Sequence, residues 1–171
     1  MLLNSEEYLQ VKNTAYEYIR KAQYNAVVGA NYALIKRNIK IGELIISKSE
    51  WGNRFIDNLA QDIKLEFPDT TGFSVRNLKY MKKFALTFTE DDIDEYGFAA
   101  ITWYHHMALM DKIKDKSQYI WYVQRTTESG WSRNVLVMQI ETDLYSRKLG
   151  EKIQNFITVC QTIKVNWLFK L

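Results

Sequence analysis

One proline, Pro68, and seven glycines punctuate 171 residues. Sandwiches and barrels reverse direction every few residues and need many more turn formers than that. The shortage points to an all-α, multi-helix domain with long uninterrupted helices. The few breakers that exist then mark helix ends: Pro68 removes a backbone donor and disfavours helical geometry in the residue before it.

Apolar spacing fills in the helices. From Ser5 to Lys48 the positions Tyr8, Val11, Ala15, Tyr18, Ile19 and Ala22 recur at helical intervals, and the stripe resumes at Tyr32, Ile35, Ile39, Gly42 and Ile45. Ser5 is a candidate cap, and Gly29 marks either a bend or a close contact. This reads as one or two long N-terminal helices, fit for a hairpin or for pairing between copies. Phe55, Ile56, Leu59, Ile63 and Phe67 form a second apolar face that stops before Pro68. Ser74 caps the next helix. Phe73 and Leu78 have the spacing of a hydrophobic staple, and Leu78, Met81, Phe84, Ala85 and Phe88 follow as its buried stripe. Further helices are expected over Ala100–Ile113, over Ser117–Thr127, and from Ser132 onward to Tyr145, with Trp131 and Leu136 repeating the staple. Gly72–Leu78 (GFSVRNL) and Gly130–Leu136 (GWSRNVL) echo one another, as two helices solving one capping problem would.

Hydrophobic residues are 47% and charged residues 25% of the chain, which excludes wholesale disorder. The lone Cys160 excludes an internal disulfide and any paired-cysteine metal site, and fits a reducing, cytoplasmic setting. No apolar run approaches the ~20 residues needed to span a bilayer, so no membrane association is expected.

The net charge, +3, is modest, but its distribution is not even. Arg76, Lys79, Lys82 and Lys83 lie between Thr70 and Thr89 with no acid among them, and Glu90–Glu95 follows with five acids and no base. At about 100° per residue, Arg76, Lys79, Tyr80 and Lys83 fall opposite the buried stripe. Two interpretations of that face stand side by side. It is a solvated cationic surface, or it is the reading helix of a helix-turn-helix unit spanning Gly52–Phe88. In the second case Arg76 meets guanine or phosphate, Lys79 and Lys83 meet phosphates, and Tyr80 contributes its hydroxyl. Lys82 and, from the echo motif, Arg133 complete the nucleic-acid candidates, and Ser117–Arg147 is a second helix-turn-helix-like stretch.

Catalytic signals are weak. His105 and His106 are adjacent, so they point about 100° apart on a helix and cannot hold one ion together. Packed or hydrogen-bonded histidines are the expectation, with no metal and no cofactor. The run Glu90–Glu95 reads as a solvated acidic loop rather than a catalytic carboxylate pair. No Gly-rich phosphate loop or nucleophile elbow occurs, so no catalytic residue and no small-molecule substrate are expected. The abundant tyrosines are assigned to packing.

Three ordered motifs carry a resemblance: Trp51–Ala85 (WGNRFIDNLAQDIKLEFPDTTGFSVRNLKYMKKFA), Trp103–Asp115 (WYHHMALMDKIKD) and Trp121–Arg147 (WYVQRTTESGWSRNVLVMQIETDLYSR). Together they resemble the N-terminal domain of the YhcG family, over roughly Ala30 to Phe156. The family's Tyr-Trp pair before Ile41-Gly42 is replaced here by Lys36-Arg37-Asn38-Ile39. The resemblance implies a helical DNA-binding or targeting module that precedes a PD-(D/E)XK-type nuclease domain. That nuclease's catalytic carboxylates and lysine have no counterpart in this chain, so the expectation is a non-enzyme.

Residues 1–156 are therefore assigned to the YhcG-like helical domain and 157–171 to a tail outside the family pattern. From Ile157 the chain reads ITVCQTIKVNWLFKL, where the family has Leu-Pro and then Gln-Ser-x-Leu-Ala. Back-translation in another frame permits YRLPNHQSELALQT, which restores that pattern, so a frameshift near Phe156 is expected; sequencing the gene and its downstream DNA checks it. DNA is the expected partner. The alternative is a protein-interaction or dimerisation module, a homodimer through the N-terminal helices that serves a nuclease partner.

Overall fold

The computed structural model describes residues 6–48 and 54–151. Expectations placed on Ser5, Gly52, Cys160 and the segment 157–171 lie outside those residues. The described elements are α1 (Glu6–Ser47), α2 (Phe55–Glu66), α3 (Val75–Thr87), α4 (Asp91–Glu95), a 3-10 turn (Phe98–Ala100), α5 (Trp103–Lys112), α6 (Lys116–Ser129) and α7 (Arg133–Glu141), with no strand among them. Helical backbone resumes over 144–151. The all-α expectation holds.

The N-terminal region is a single helix of 42 residues rather than a hairpin. At about 1.5 Å per residue it is roughly 60 Å long. Gly29 is no contact point: nothing lies within 4 Å of where its Cβ would stand, and helical backbone runs through it. The close approach is at Gly42, where an added Cβ would collide with the Met81 backbone and stand 2.7 Å from the Ala85 Cβ. α1 and α3 thus cross with their backbones nearly touching, as only a glycine permits.

Ile35 and Ile39 of α1 enter the main core with Phe84, Phe88, Phe98, Leu109, Tyr119, Tyr122 and Leu136. Phe88 meets Phe98 edge-on at 4.8 Å, and Phe84 meets Phe98 in the same manner at 5.8 Å, geometries that aromatic quadrupoles favour. A smaller cluster joins Ile45, Leu78 and Met81 to the apolar face of α2. α2 ends before Pro68, with Phe67 as its C-terminal cap residue.

Both staples form. Ser74 accepts from the Asn77 N–H and Ser132 from the Val135 N–H, and Gly72 and Gly130 take φ of 93° and 61° to bring the chain into each cap. The last helix does not run on to Tyr145: it halts at Thr142, and Asp143 takes a φ of 50°. The acidic run is not a solvated loop. It folds into α4 with Asp92 and Ile93 buried, and Asp92 accepts from the Thr89 N–H at 2.6 Å and from Lys116 at 3.2 Å. Its neighbour Glu90 bridges Lys36 and Lys40 of α1, which hold the carboxyl below its ordinary pKa.

His106 is wholly buried between Tyr119 and Phe98. A carbonyl can only accept, so Nε2–H donates to Phe98 O at 3.0 Å, and Nδ1 accepts from the Tyr119 hydroxyl at 2.8 Å. Burial pushes its pKa down to about 4. His105 lies between Thr102, at 2.8 Å, and the Trp131 carbonyl, at 3.1 Å. Both are packed, hydrogen-bonded histidines. The tyrosines divide: Tyr119 and Tyr122 are core residues, whereas Tyr16, Tyr18 and Tyr24 of α1 are exposed, against the expectation of packing.

Candidate nucleic-acid interface

Burial of Leu78, Met81 and Phe84 fixes the rotation of α3 and turns its cations outward. Arg76, Lys79 and Lys83 are exposed and Lys82 is half-buried. None of these four forms an ion pair with a carboxylate among the described residues, whereas Lys36, Lys40, Lys112 and Lys116 all do. The α3 cluster is therefore a group of neighbouring cations on one helix face with no ion pair among the described residues.

Its edges are defined by α5. The Lys83 ammonium donates to the Met110 carbonyl, a neutral partner that leaves the charge in place. The Tyr80 hydroxyl donates to the Asp111 carboxylate at 2.6 Å and accepts from Arg76 at 3.3 Å. Tyr80 is thus committed within the fold rather than offered to a ligand. Its hydroxyl also holds the Arg76 guanidinium above its ordinary pKa and lays it 5.6 Å from the ring centroid. Asp111 is the acid that sequence inspection missed, because it lies 31 positions from Tyr80.

Arg133 is not drawn into this cluster. It opens α7, which meets α5 through Lys112–Glu141 at 2.7 Å, and no hydrogen bond or ion pair among the described residues joins it to α3. Lys114 adjoins the cluster: it lines a shallow groove with Lys83, Asp115 and Lys116 beside Phe88 and Tyr119. The run Lys112–Lys116 (KIKDK) was the visible signal for it.

The two helix-turn-helix-like stretches differ in their connections. From Phe67 to Ser74 the chain needs a longer excursion than the about three or four residues of a compact helix-turn-helix. Between α6 and α7 only Gly130, Trp131 and Ser132 intervene. Three exposed cations without ion pairs among the described residues lie on α3, against Arg133 alone on the more compact pair.

Among the described residues no group of His, Cys, Asp or Glu is placed to hold a metal ion, and no helix is long and apolar enough to cross a membrane. A family model described as the DUF1016 N-terminal domain matches residues 14–147. Neither the curated proteins nor the solved structures contain a match to the chain.

Proposed function

The chain belongs to the family of DUF1016 N-terminal domains, the helical domain that begins YhcG-type proteins, and from that premise we propose that it is a non-catalytic DNA-binding module. The observation that carries the proposal is the outward face of α3, where Arg76, Lys79 and Lys83 stand exposed with no ion pair to a carboxylate among the described residues and Lys82 and Lys114 border them. The lysines neutralise backbone phosphates and release condensed counterions. Arg76, near the start of the helix, is the residue best placed for a base edge in the major groove. Tyr80 and Asp111 hold Arg76 in place.

A salt titration of duplex binding tests this. Affinity falls with a log–log slope of about −0.9 per phosphate engaged. Lys79→Ala and Lys114→Ala each lower affinity on every sequence and flatten the slope by about one. Binding that is flat between low and moderate salt, or untouched by both substitutions, overturns the proposal.

A second reading rests on a different observation. Val11, Tyr18 and Ile19 of α1 are more than half exposed, and with Ala15 and Ala22 they make one stripe. The charges beside it favour a second copy as the occupant. In an antiparallel pair centred on Thr14, Glu7 of one copy stands level with Lys21 of the other on the same flank of the stripe. Sedimentation then gives a dimer that Tyr18→Glu reduces to monomer without loss of helix; a native chain monomeric at high concentration removes this reading.

A further inference from the structure

A second concentration of unpaired donors lies away from the α3 cations. A pocket of about 440 Å³ opens between the middle of α1 and the starts of α3 and α5. Arg37, Asn38, Ser74, Asn77, Trp103 and Tyr104 are among its walls, and no carboxylate is.

The Arg37 guanidinium lies 4.8 Å from the Phe73 ring centroid. Its Nε and one terminal nitrogen donate to Asn38 Oδ1 at 3.3 and 3.0 Å. The other terminal nitrogen has no partner among the described residues, and neither does the charge. Burial lowers the Arg37 pKa, as expected of a cation partly withdrawn from water with no anion beside it. Asn38 is 1% exposed, and its amide nitrogen donates no hydrogen bond among the described residues although the residue lines the pocket.

The start of α5 lines the same space. In α5 the Thr102 carbonyl takes the His105 and His106 N–H groups, and the Thr102 hydroxyl is engaged by His105, so the Trp103 and Tyr104 N–H groups are left over. The walls are held together: Trp103 Nε1 donates to Asn77 Oδ1 at 2.8 Å, and the Asn77 amide donates to Gly72 O. A cation, an amide and one helix N-terminus suit a phosphate. Tyr104, 68% exposed at the rim, offers a flat surface for a base.

We infer that this pocket binds a phosphate group carried by a nucleotide, held by Arg37, Asn38 and the start of α5, with the base against Tyr104. The inference goes beyond DNA binding by α3 and does not depend on it, since Lys79 and Lys114 take no part in the pocket. The nucleotide is free, or it is the phosphorylated end of a strand; the recognising chemistry is the same.

Calorimetry on the whole chain separates these cases, using a deoxynucleoside monophosphate, the matching nucleoside, and one single strand with and without its 5′-phosphate. The monophosphate binds one saturable site, and the nucleoside binds at least about tenfold more weakly. Arg37→Gln weakens the monophosphate by about tenfold or more, and Tyr104→Ala weakens it while leaving inorganic phosphate unchanged. A preference for the 5′-phosphorylated strand over both its unphosphorylated form and the monophosphate identifies a strand end; otherwise the ligand is the free nucleotide. No saturable binding, or binding that Arg37→Gln leaves intact, overturns the inference. Should Arg37→Gln fail to fold, the native chain decides: a Trp103 indole N–H resonance that stays still as nucleotide is added also overturns it. Duplex binding lost by Lys79→Ala and kept by Arg37→Gln shows that the two sites stand or fall separately.

Discussion

The two ends of α1 share a backbone but not an environment. Toward Ser47, Ile35, Asn38, Ile39, Gly42 and Ile45 are buried against the rest of the domain. Toward Glu6, Val11 is 62% exposed and Tyr18 71%. At about 100° per residue, the apolar stripe of the first end lies roughly opposite the buried face of the second. One rigid helix cannot lay both stripes on the same core. The anchored end explains why the free end is helical at all: an isolated helix of that length is marginal in water, and extending an existing helix avoids the nucleation step. Apolar periodicity alone therefore does not say which stripe finds a partner within the chain.

The two glycines of α1 offer the sharpest way to break this contrast. Gly42→Ala drives a methyl group into the α3 backbone and should destabilise the domain by about 3 kcal/mol or more, read as a drop in the urea midpoint. A midpoint unchanged by that substitution would mean that α1 and α3 do not cross where described.

Acid tests the anchored end from the core side. The native chain leaves His106 unprotonated down to about pH 4, whereas the unfolded chain protonates it near 6.5. The unfolded state thus binds more protons between those values, and stability rises with pH across that window. The loss on acidification through it is on the order of 3 kcal/mol. His106→Gln should flatten that dependence while lowering stability at neutral pH, because the Tyr119 and Phe98 partners are left poorly matched. Hydrogen exchange along α1 sharpens the picture. Opening at Ile35–Ile45 should follow the acid loss, and the amides before Ala22 should not.

The smallest effect belongs to the free end. Gly29→Ala meets empty space and replaces a poor helix former by the best one, so it should stabilise α1 by up to about 1 kcal/mol. Circular dichroism during thermal melting detects it; a loss of stability instead would show a contact at Gly29.

Much of this molecule was legible in its residues. The helix starts at Ser74 and Ser132, the stop before Pro68 and the buried stripe of α3 follow from caps, staples and spacing, all properties of a few neighbouring positions. The outward turn of Arg76, Lys79 and Lys83 followed too, because a buried stripe of known period leaves only one face for charge. Sequence separation hid the rest. Asp111 reaches Tyr80 from another helix, Lys114 arrives beside Lys83 through the α5–α6 connection, and the Arg37 pocket needs three elements at once.

What the residues alone determined was the helical class, the breaks between helices and the polarity of each helix face, since these depend on interactions within a turn or two. Tertiary structure decided the fate of each face. It chose which α1 stripe is buried, turned an acidic run into α4 with Asp92 inside, and left Arg37 with no counter-ion among the described residues. The reason is physical: burial and electrostatic pairing depend on distances between segments far apart in the chain, and spacing along one helix carries no record of those distances.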